Sequence, residues 1–317
     1  MEDKIIEYGI KLNNQINKIL NNYDNIPIYK NGKQYEKINI KDKGIRNIIL
    51  SGGGIKGFAH IGALKALEDN NINNCITTIA GTSIGAIISL LYVIGYTPDE
   101  MYETAIKLNM KEFKNINFSN LLNEYGLDNG KRITNLLSNL MKKKRIKKNI
   151  TFLELYEKTG INLIVTGVCI NNMKAEYFSH ESHPKMKVIN AIRISFSIPG
   201  YFTPAKYKKK MYIDGACIDN YPIHLFDNDE TIGIYLYSSS NYINEFNNLE
   251  EYFTRIIQCL IEGFDTNSTR NYSRSTIKID LEQVGMLDFD INIEEINKIK
   301  QIGYNSTYNY LKNNNLL

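Results

Sequence analysis

Three short segments of this chain carry residue types that can do chemistry together. The first is Gly81-Thr82-Ser83-Ile84-Gly85, set between the apolar run Ile76 to Ala80 and an apolar stretch that opens at Ile84. A serine on such a strand-to-helix elbow occupies a strained turn, and the flanking glycines remove Cβ clashes. Its hydroxyl is exposed at a helix amino end, where the dipole and free amides favour developing negative charge. The chemistry indicated is nucleophilic attack by Ser83 through a tetrahedral intermediate. An ordinary Gly/Ser turn has the same five letters, and it is the strand before and the helix after that favour the nucleophile.

The second segment, Gly52-Gly53-Gly54-Ile55-Lys56-Gly57, again follows a strand-like run (Ile45 to Leu50) and precedes a helix beginning near Phe58. Consecutive glycine amides at a helix start form an anion cradle that suits a phosphate or an oxyanion. Gly52, Gly54 and Gly57 satisfy the dinucleotide fingerprint, but that use needs a ribose-binding carboxylate at the end of the next strand, about 20 residues on. There the chain reads Ala80-Gly81-Thr82-Ser83, so an oxyanion hole built by Gly52, Gly53 and Gly54 is the favoured reading.

A serine hydroxyl needs a base within hydrogen-bond reach. Asp214, in Asp214-Gly215-Ala216 at the end of the strand-like run Lys210 to Ile213, is expected at the same sheet edge as the two glycine turns, where open α/β sheets place ligands. Partial desolvation would raise its pKa towards usefulness as a direct base. The four histidines are His60, His180, His183 and His224. His224 preserves the chain order Ser, Asp, His of an α/β-hydrolase, so a triad through His224 stands as the alternative.

The elements that must position these groups follow one grammar: apolar strand, glycine turn, helix, repeated from Ile45. This indicates an α/β fold with a mostly parallel central sheet flanked by helices. Thr97-Pro98-Asp99-Glu100 and Thr151-Phe152-Leu153-Glu154 read as capping boxes that open helices. Ile161 to Ile170 and Ala175 to Phe178 read as strands, Met186 to Ile194 as a helix, and Thr231 to Tyr237 as the strand that closes the core. Ile5, Tyr8, Leu12, Ile16 and Ile19 recur at helical spacing, and Asn31-Gly32 marks a tight hairpin. Helical patterns return from Leu249, through Phe253, Ile256, Ile257, Leu260 and Ile261, and again from Ile293 to Leu311. The division expected is an N-terminal extension over 1–44, a catalytic domain over 45–237, and a C-terminal helical region over 238–317 that packs on it.

With 317 residues, 43% hydrophobic and 23% charged, neither wholesale disorder nor a fibrous repeat is credible. A net charge of +4, from 38 basic and 34 acidic side chains, is too small to imply a dedicated nucleic-acid binder. Four scattered cysteines without metal-type pairing fit buried thiols in a reducing compartment. The start, Met1-Glu2-Asp3-Lys4, lacks the features of a secretory signal, and the longest apolar run, Ile84 to Gly95, falls short of the roughly 20 residues of a membrane span. A cytoplasmic protein is expected, peripheral at membranes if it meets them. Two basic runs, one formed by Lys142, Lys143, Lys144, Arg145, Lys147 and Lys148 and one by Lys206, Lys208, Lys209 and Lys210, suit either an anionic leaflet or plain solvation.

Taken together, the three chemical segments resemble those of the patatin-like phospholipases, a family of lipid acyl hydrolases. The likeness spans Ile45 to Tyr237, continues more weakly into the C-terminal helices, and includes Ala59-His60-Ile61-Gly62, Gly95-Tyr96-Thr97-Pro98, Ser195-Phe196-Ser197-Ile198-Pro199-Gly200 and Asn220-Tyr221-Pro222. The resemblance implies a Ser-Asp dyad of Ser83 and Asp214 without histidine, an oxyanion loop over Gly52 to Gly57, and no calcium, other metal or cofactor. Lys56, Gly57, Gly81, Gly85 and Gly215 are then supporting motif residues. Lys56 stands where such proteins often have arginine, which keeps the charge but loses the bidentate fork. The implied substrate is a phospholipid or other acyl-ester lipid, reached by transient contact with a membrane surface, with no nucleic acid involved and any activating partner open. A non-catalytic lipid- or nucleotide-binding module on the same scaffold is the reading from another class.

Overall fold

The computed structural model describes residues 44–108, 123–239, 274–282 and 291–317, the strand pairs at 29–30 and 33–34, and a few isolated positions. The chain divides into two compact units, Met1–Lys43 and Gly44–Leu317. In the first, β1 (Tyr29–Lys30) pairs antiparallel with β2 (Lys33–Gln34) around Asn31-Gly32. The helix expected over Ile5 to Ile19 and most of the one expected from Leu249 lie outside the described residues.

The second unit is built on an eight-stranded sheet of order β12-β11-β3-β4-β6-β10-β9, with β7 beside β6. Its parallel half comprises β3 (Asn47–Leu50), β4 (Thr78–Gly81), β6 (Asn162–Cys169), β11 (Thr231–Tyr237) and β12 (Thr276–Asp280). These strands are covered on both faces, so they read as unbroken apolar runs: Ile48, Ile49 and Leu50 are fully buried, as are Ile79 and Ala80. The antiparallel half comprises β7 (Lys174–Phe178), β9 (Ala205–Tyr207) and β10 (Lys210–Asp214). A separate parallel pair joins β5 (Gly126–Asp128) to β8 (Gly200–Phe202).

The helices of this unit include α1 (Phe58–Asp69), α2 (Ile84–Val93), α3 (Pro98–Ile106), α4 (Lys131–Lys143), α5 (Phe152–Thr159), α6 (Val188–Ser195) and α7 (Ile293–Asn313). Both capping boxes form: Thr97 accepts from the Glu100 amide at 3.1 Å and Thr151 from the Glu154 amide at 3.3 Å, while each glutamate returns a bond to its cap's backbone. Asn292 and Glu295 open α7 in the same way.

Two expectations are corrected. The core does not close at Tyr237, because β12 extends the sheet in parallel beyond β11. Thr276–Asp280 is a five-residue strand whose alternation, Ile277 and Ile279 inward with Lys278 exposed, is too brief to stand out between its neighbours. Nor does Asp214 reach the edge that carries the glycine turns on a parallel strand. β6 overshoots the ends of its neighbours, and β10 returns antiparallel along that overshoot, so that Asp214 lies opposite Gly167.

Helix α7 lies against α1 with backbone nearly touching backbone. A Cβ on Gly303 would run into the Ala59 carbonyl, and one on Gly62 into that of Lys300. Since α1 follows the glycine loop directly, this contact backs the site. We expect Gly303→Val to destabilise the fold by about 1–3 kcal/mol through overpacking, seen as a Tm lowered by several degrees in a thermal melt.

Candidate active site

Ser83 links the end of β4 to the start of α2 and adopts φ +53°, ψ −121°, a conformation costing a non-glycine residue of order 1–3 kcal/mol. The surroundings hold it there. Its amide donates to Ser195 Oγ at 2.9 Å, and the Thr82 amide donates to the Leu50 carbonyl at 3.2 Å. Glycine is required at position 85 because any Cβ would strike the carbonyls of Leu50 and Ser51. The elbow is thereby pressed onto the strand from which the glycine loop departs.

In that loop the three glycines separate by role. The Gly52 amide is committed to Asn220, donating to its Oδ1 at 3.0 Å and to its carbonyl at 3.3 Å. Gly53 and Gly54 lead the helical turn Gly54–Gly57, where amides have no acceptor one turn behind them, and Gly54 takes φ +58°. Two of the three candidate oxyanion donors are thus free to serve a substrate, and Gly52 serves the loop. Gly57 packs against Ile84, joining the two turns. Lys56 is buried rather than turned to an incoming anion, and its charge acts on Asp280 of β12.

Asp214 ends β10 and is 2% exposed. Its Oδ1 accepts from the Ala216 amide at 2.9 Å, which closes the turn Gly215–Cys217, while Oδ2 has no hydrogen bond of regular geometry. Burial pushes the carboxyl from its ordinary 3.8 up to about 7, opposed by the Ala216 amide and by the Ser83 hydroxyl, which stands close enough to favour the anion. The structure therefore brings Ser83 and Asp214 together without locking them into a bond. Cys217, two residues past the turn glycine, is no rival nucleophile: burial and the nearby Asp214 charge push its thiol up to about 12.

The histidines are engaged elsewhere. His60 is fully buried behind the glycine loop, and its Nε2 donates to the Ser51 carbonyl at 2.8 Å. Burial lowers its pKa to about 4, so the ring is neutral at ordinary pH. His224, the alternative base, is half exposed and faces Tyr177 and Asp219 at 3.5 and 3.8 Å, so no Ser-His-Asp triad assembles through it. His180 stacks on Tyr156, and His183 meets the edge of Phe178. Among the described residues, no three His, Cys, Asp or Glu side chains converge as a cation site.

Two groups of positioning residues have no expected role in the sequence reading. Ser195 Oγ receives the Ser83 amide and the Ser197 carbonyl receives the Asp214 amide at 2.9 Å, so one three-residue stretch holds both candidate catalytic residues. Arg193 braces that stretch by donating to Ser197 Oγ and to the Thr203 carbonyl and hydroxyl. On the other side, Asp219 and Asn220 reach the elbow and the glycine loop respectively, the former by accepting from Thr82 Oγ1 at 3.3 Å. The polar letters of Ser195-Phe196-Ser197 and Asp219-Asn220 were the available signal.

Beside Ser83 opens a cavity of about 190 Å³ whose walls are almost wholly apolar. Gly54 and Ser83 are part of its lining, with Ile84, Ile87 and Leu91 of α2, Met101 of α3, Leu136 and Leu140 of α4, and Phe196 and Phe202. Helix α4 was not expected from the sequence, although Ile133, Leu136, Leu137 and Leu140 fall at helical spacing. A slot of this kind accepts a hydrocarbon chain and leaves the polar end of the molecule beside the serine. No described helix is long and apolar enough to cross a membrane.

The family model for "Patatin-like phospholipase" matches residues 48–227. "Probable lipid hydrolase 463L" of Invertebrate iridescent virus 6 is 37% identical over 201 residues, which make up 62% of this chain and 68% of that protein. "Lysophospholipase NTE1" of Meyerozyma guilliermondii is 25% identical over 224 residues, 70% of this chain but only 14% of that much longer one. Among solved structures, VipD from Legionella pneumophila superposes with a TM-score of 0.57 at 16% identity, covering 85% of this chain and 67% of that one, a likeness of fold.

A buried carboxyl with a raised pKa also makes a statement about stability. The folded state holds the Asp214 proton more tightly than the unfolded chain, so stability is lost as pH rises from about 4 through about 7. The displacement from 3.8 to about 7 is worth at most about 4 kcal/mol above pH 7. We expect Asp214→Asn, which keeps an acceptor for the Ala216 amide, to raise Tm at pH 8 and to lose that advantage at pH 4, measured by calorimetry across the range.

Proposed function

The chain belongs to the patatin-like phospholipase family, and from that membership we propose that it is a lipid acyl hydrolase of the phospholipase A or lysophospholipase type, working through a Ser83–Asp214 dyad and an acyl-enzyme. One observation carries the reading: a desolvated carboxyl whose pKa is raised to about 7 stands beside a serine on a strained elbow that lines an apolar cavity. Relatives bearing the names lipid hydrolase and lysophospholipase support the substrate class.

In the proposed reaction the acyl chain lies along α2 and α4 and the ester carbonyl sits over Ser83. Ser83 Oγ bonds to the carbonyl carbon while Asp214 Oδ2 takes its proton. The carbonyl electron pair moves onto oxygen, where the Gly53 and Gly54 amides receive it; each such donor is worth about 2.7–4 kcal/mol of barrier. As the tetrahedral species collapses, the ester C–O bond breaks and Asp214 returns the proton to the departing alcohol or lysolipid. Water repeats the cycle against the acyl-enzyme: Asp214 takes a proton from it, hydroxide adds to the carbonyl, and Ser83 leaves with the proton restored. Desolvation makes the aspartate basic enough to act without an intervening imidazole.

Ser83→Ala and Asp214→Asn are each expected to lower hydrolysis of mixed phospholipid and lysolipid substrates by at least a thousandfold, read by mass spectrometry of released fatty acid. A fluorophosphonate probe should label the wild type and not Ser83→Ala. Full activity in purified Ser83→Ala would refute the dyad. Because Asp214 must be ionised to act, kcat/KM should rise with pH through a midpoint near 7, falling away on the acid side, and a flat profile between pH 5 and 9 would count against a direct carboxylate base.

A further inference from the structure

Two hairpin tips stand side by side beyond the catalytic edge of the sheet. The β6–β7 turn spans residues 170–173, between the paired Cys169 and Lys174. The β9–β10 turn is Lys208 and Lys209 alone, between the paired Tyr207 and Lys210. The tips are tied to each other: the Ile170 amide donates to the Met211 carbonyl at 3.0 Å, and the Met211 amide donates to Asn171 Oδ1 at 2.7 Å. Gly81, at the end of β4, is level with Val165, and β6 runs on to Cys169, so the tips project about 13 Å past that level on the Ser83 side.

Their composition works against the backbone. Met173, Lys208 and Lys209 all take positive φ, at +56°, +46° and +64°. That region is costly for L side chains, and a two-residue turn with both φ positive is built most readily from Asn-Gly. Met173 is 80% exposed and Ile170 40%, and Lys208 holds its ammonium over the Tyr207 ring, 5.4 Å from the centroid. Around them Lys174, Lys206, Lys208 and Lys209 are exposed, and among the described residues none has an acidic partner. Lys210 differs, being paired with Glu176 at 3.1 Å. The result is an apolar prong ringed by ammonium groups without acidic partners, carried by a sheet and maintained at a conformational cost.

We propose that these paired tips dock the protein on an anionic membrane surface, with Met173 and Ile170 entering the acyl boundary and the four lysines meeting the headgroups. Charge complementarity and the narrow projecting shape, which a flat bilayer accommodates, favour a lipid surface over a protein partner. The proposal rests on the lipid-hydrolase reading above, since it names the surface on which that substrate is met. It also gives the location a consequence: β10 runs from Lys210 at the tip to Asp214, so the docked surface lies one five-residue strand from the proposed base.

The test uses the full-length protein and the variant Lys208→Asn/Lys209→Gly, which installs the residues the turn prefers. Binding is measured by sedimentation with phosphatidylcholine vesicles, with and without phosphatidylserine, alongside Tm and hydrolysis of a water-soluble short-chain ester. The wild type should bind anionic vesicles in preference to neutral ones, and less at high salt. The variant should lose about thirtyfold in that binding, about fivefold per lysine, while its Tm rises and soluble-ester turnover is unchanged. Met173→Asn should also weaken binding without lowering Tm. Undiminished binding of both variants to anionic vesicles, or equal binding of the wild type to neutral and anionic ones, overturns the docking proposal and leaves the hydrolase reading standing. Absence of hydrolysis by the wild type on every ester would defeat that reading while the vesicle result still speaks for or against docking.

Discussion

The candidate site of the second unit is organised around a carboxylate buried from bulk solvent. Asp214 has one oxygen satisfied by its own turn and the other without a regular hydrogen bond, facing a serine hydroxyl. An unpaired polar atom in an interior costs stability, and a folded chain tolerates one where the deficit serves a purpose. Full solvation would leave Asp214 a weak base at its ordinary pKa, and a further donor would quench it. Burial without full satisfaction is the condition under which a carboxylate can draw a proton from an alcohol.

Such an arrangement is stable only if the backbone fixes both partners independently of each other. The stretch Ser195 to Ser197 takes one amide from Ser83 and one from Asp214, and Arg193 fastens it to Thr203. Asp219 and Asn220, a few residues past Asp214, reach back to the elbow and to Gly52. The segment that starts at the candidate base therefore also holds the glycine loop. Placing the Gly52 amide in that clamp and leaving Gly53 and Gly54 at the front of a helical turn divides the triglycine into an anchor and a cradle.

The sheet adds a second organising feature. Strands that stop at Leu50 and Gly81 leave a ledge for the two glycine turns, while β6 continues upward and brings β10 down beside it. A parallel neighbour would have carried its last residue away from the ledge; the antiparallel return delivers Asp214 back towards it. The same overshoot produces the basic, partly apolar hairpin tips, so the geometry that places Asp214 also raises the prong above it.

The local grammar of the chain was enough to determine the glycine turns, the strand and helix on either side of each, the capping boxes, and the candidate roles of Ser83 and Asp214, because these depend on short-range rules: positive φ, free amides at a helix start, apolar runs buried on two faces. Tertiary structure alone decided what depends on residues far apart in sequence. It committed the Gly52 amide to Asn220, 168 residues away, turned His224 towards Asp219, added β12 to the sheet edge, and reversed the strand that carries Asp214. The raised pKa of that aspartate belongs to the same class, since desolvation is a property of everything packed around a group and is written in no single stretch of the chain.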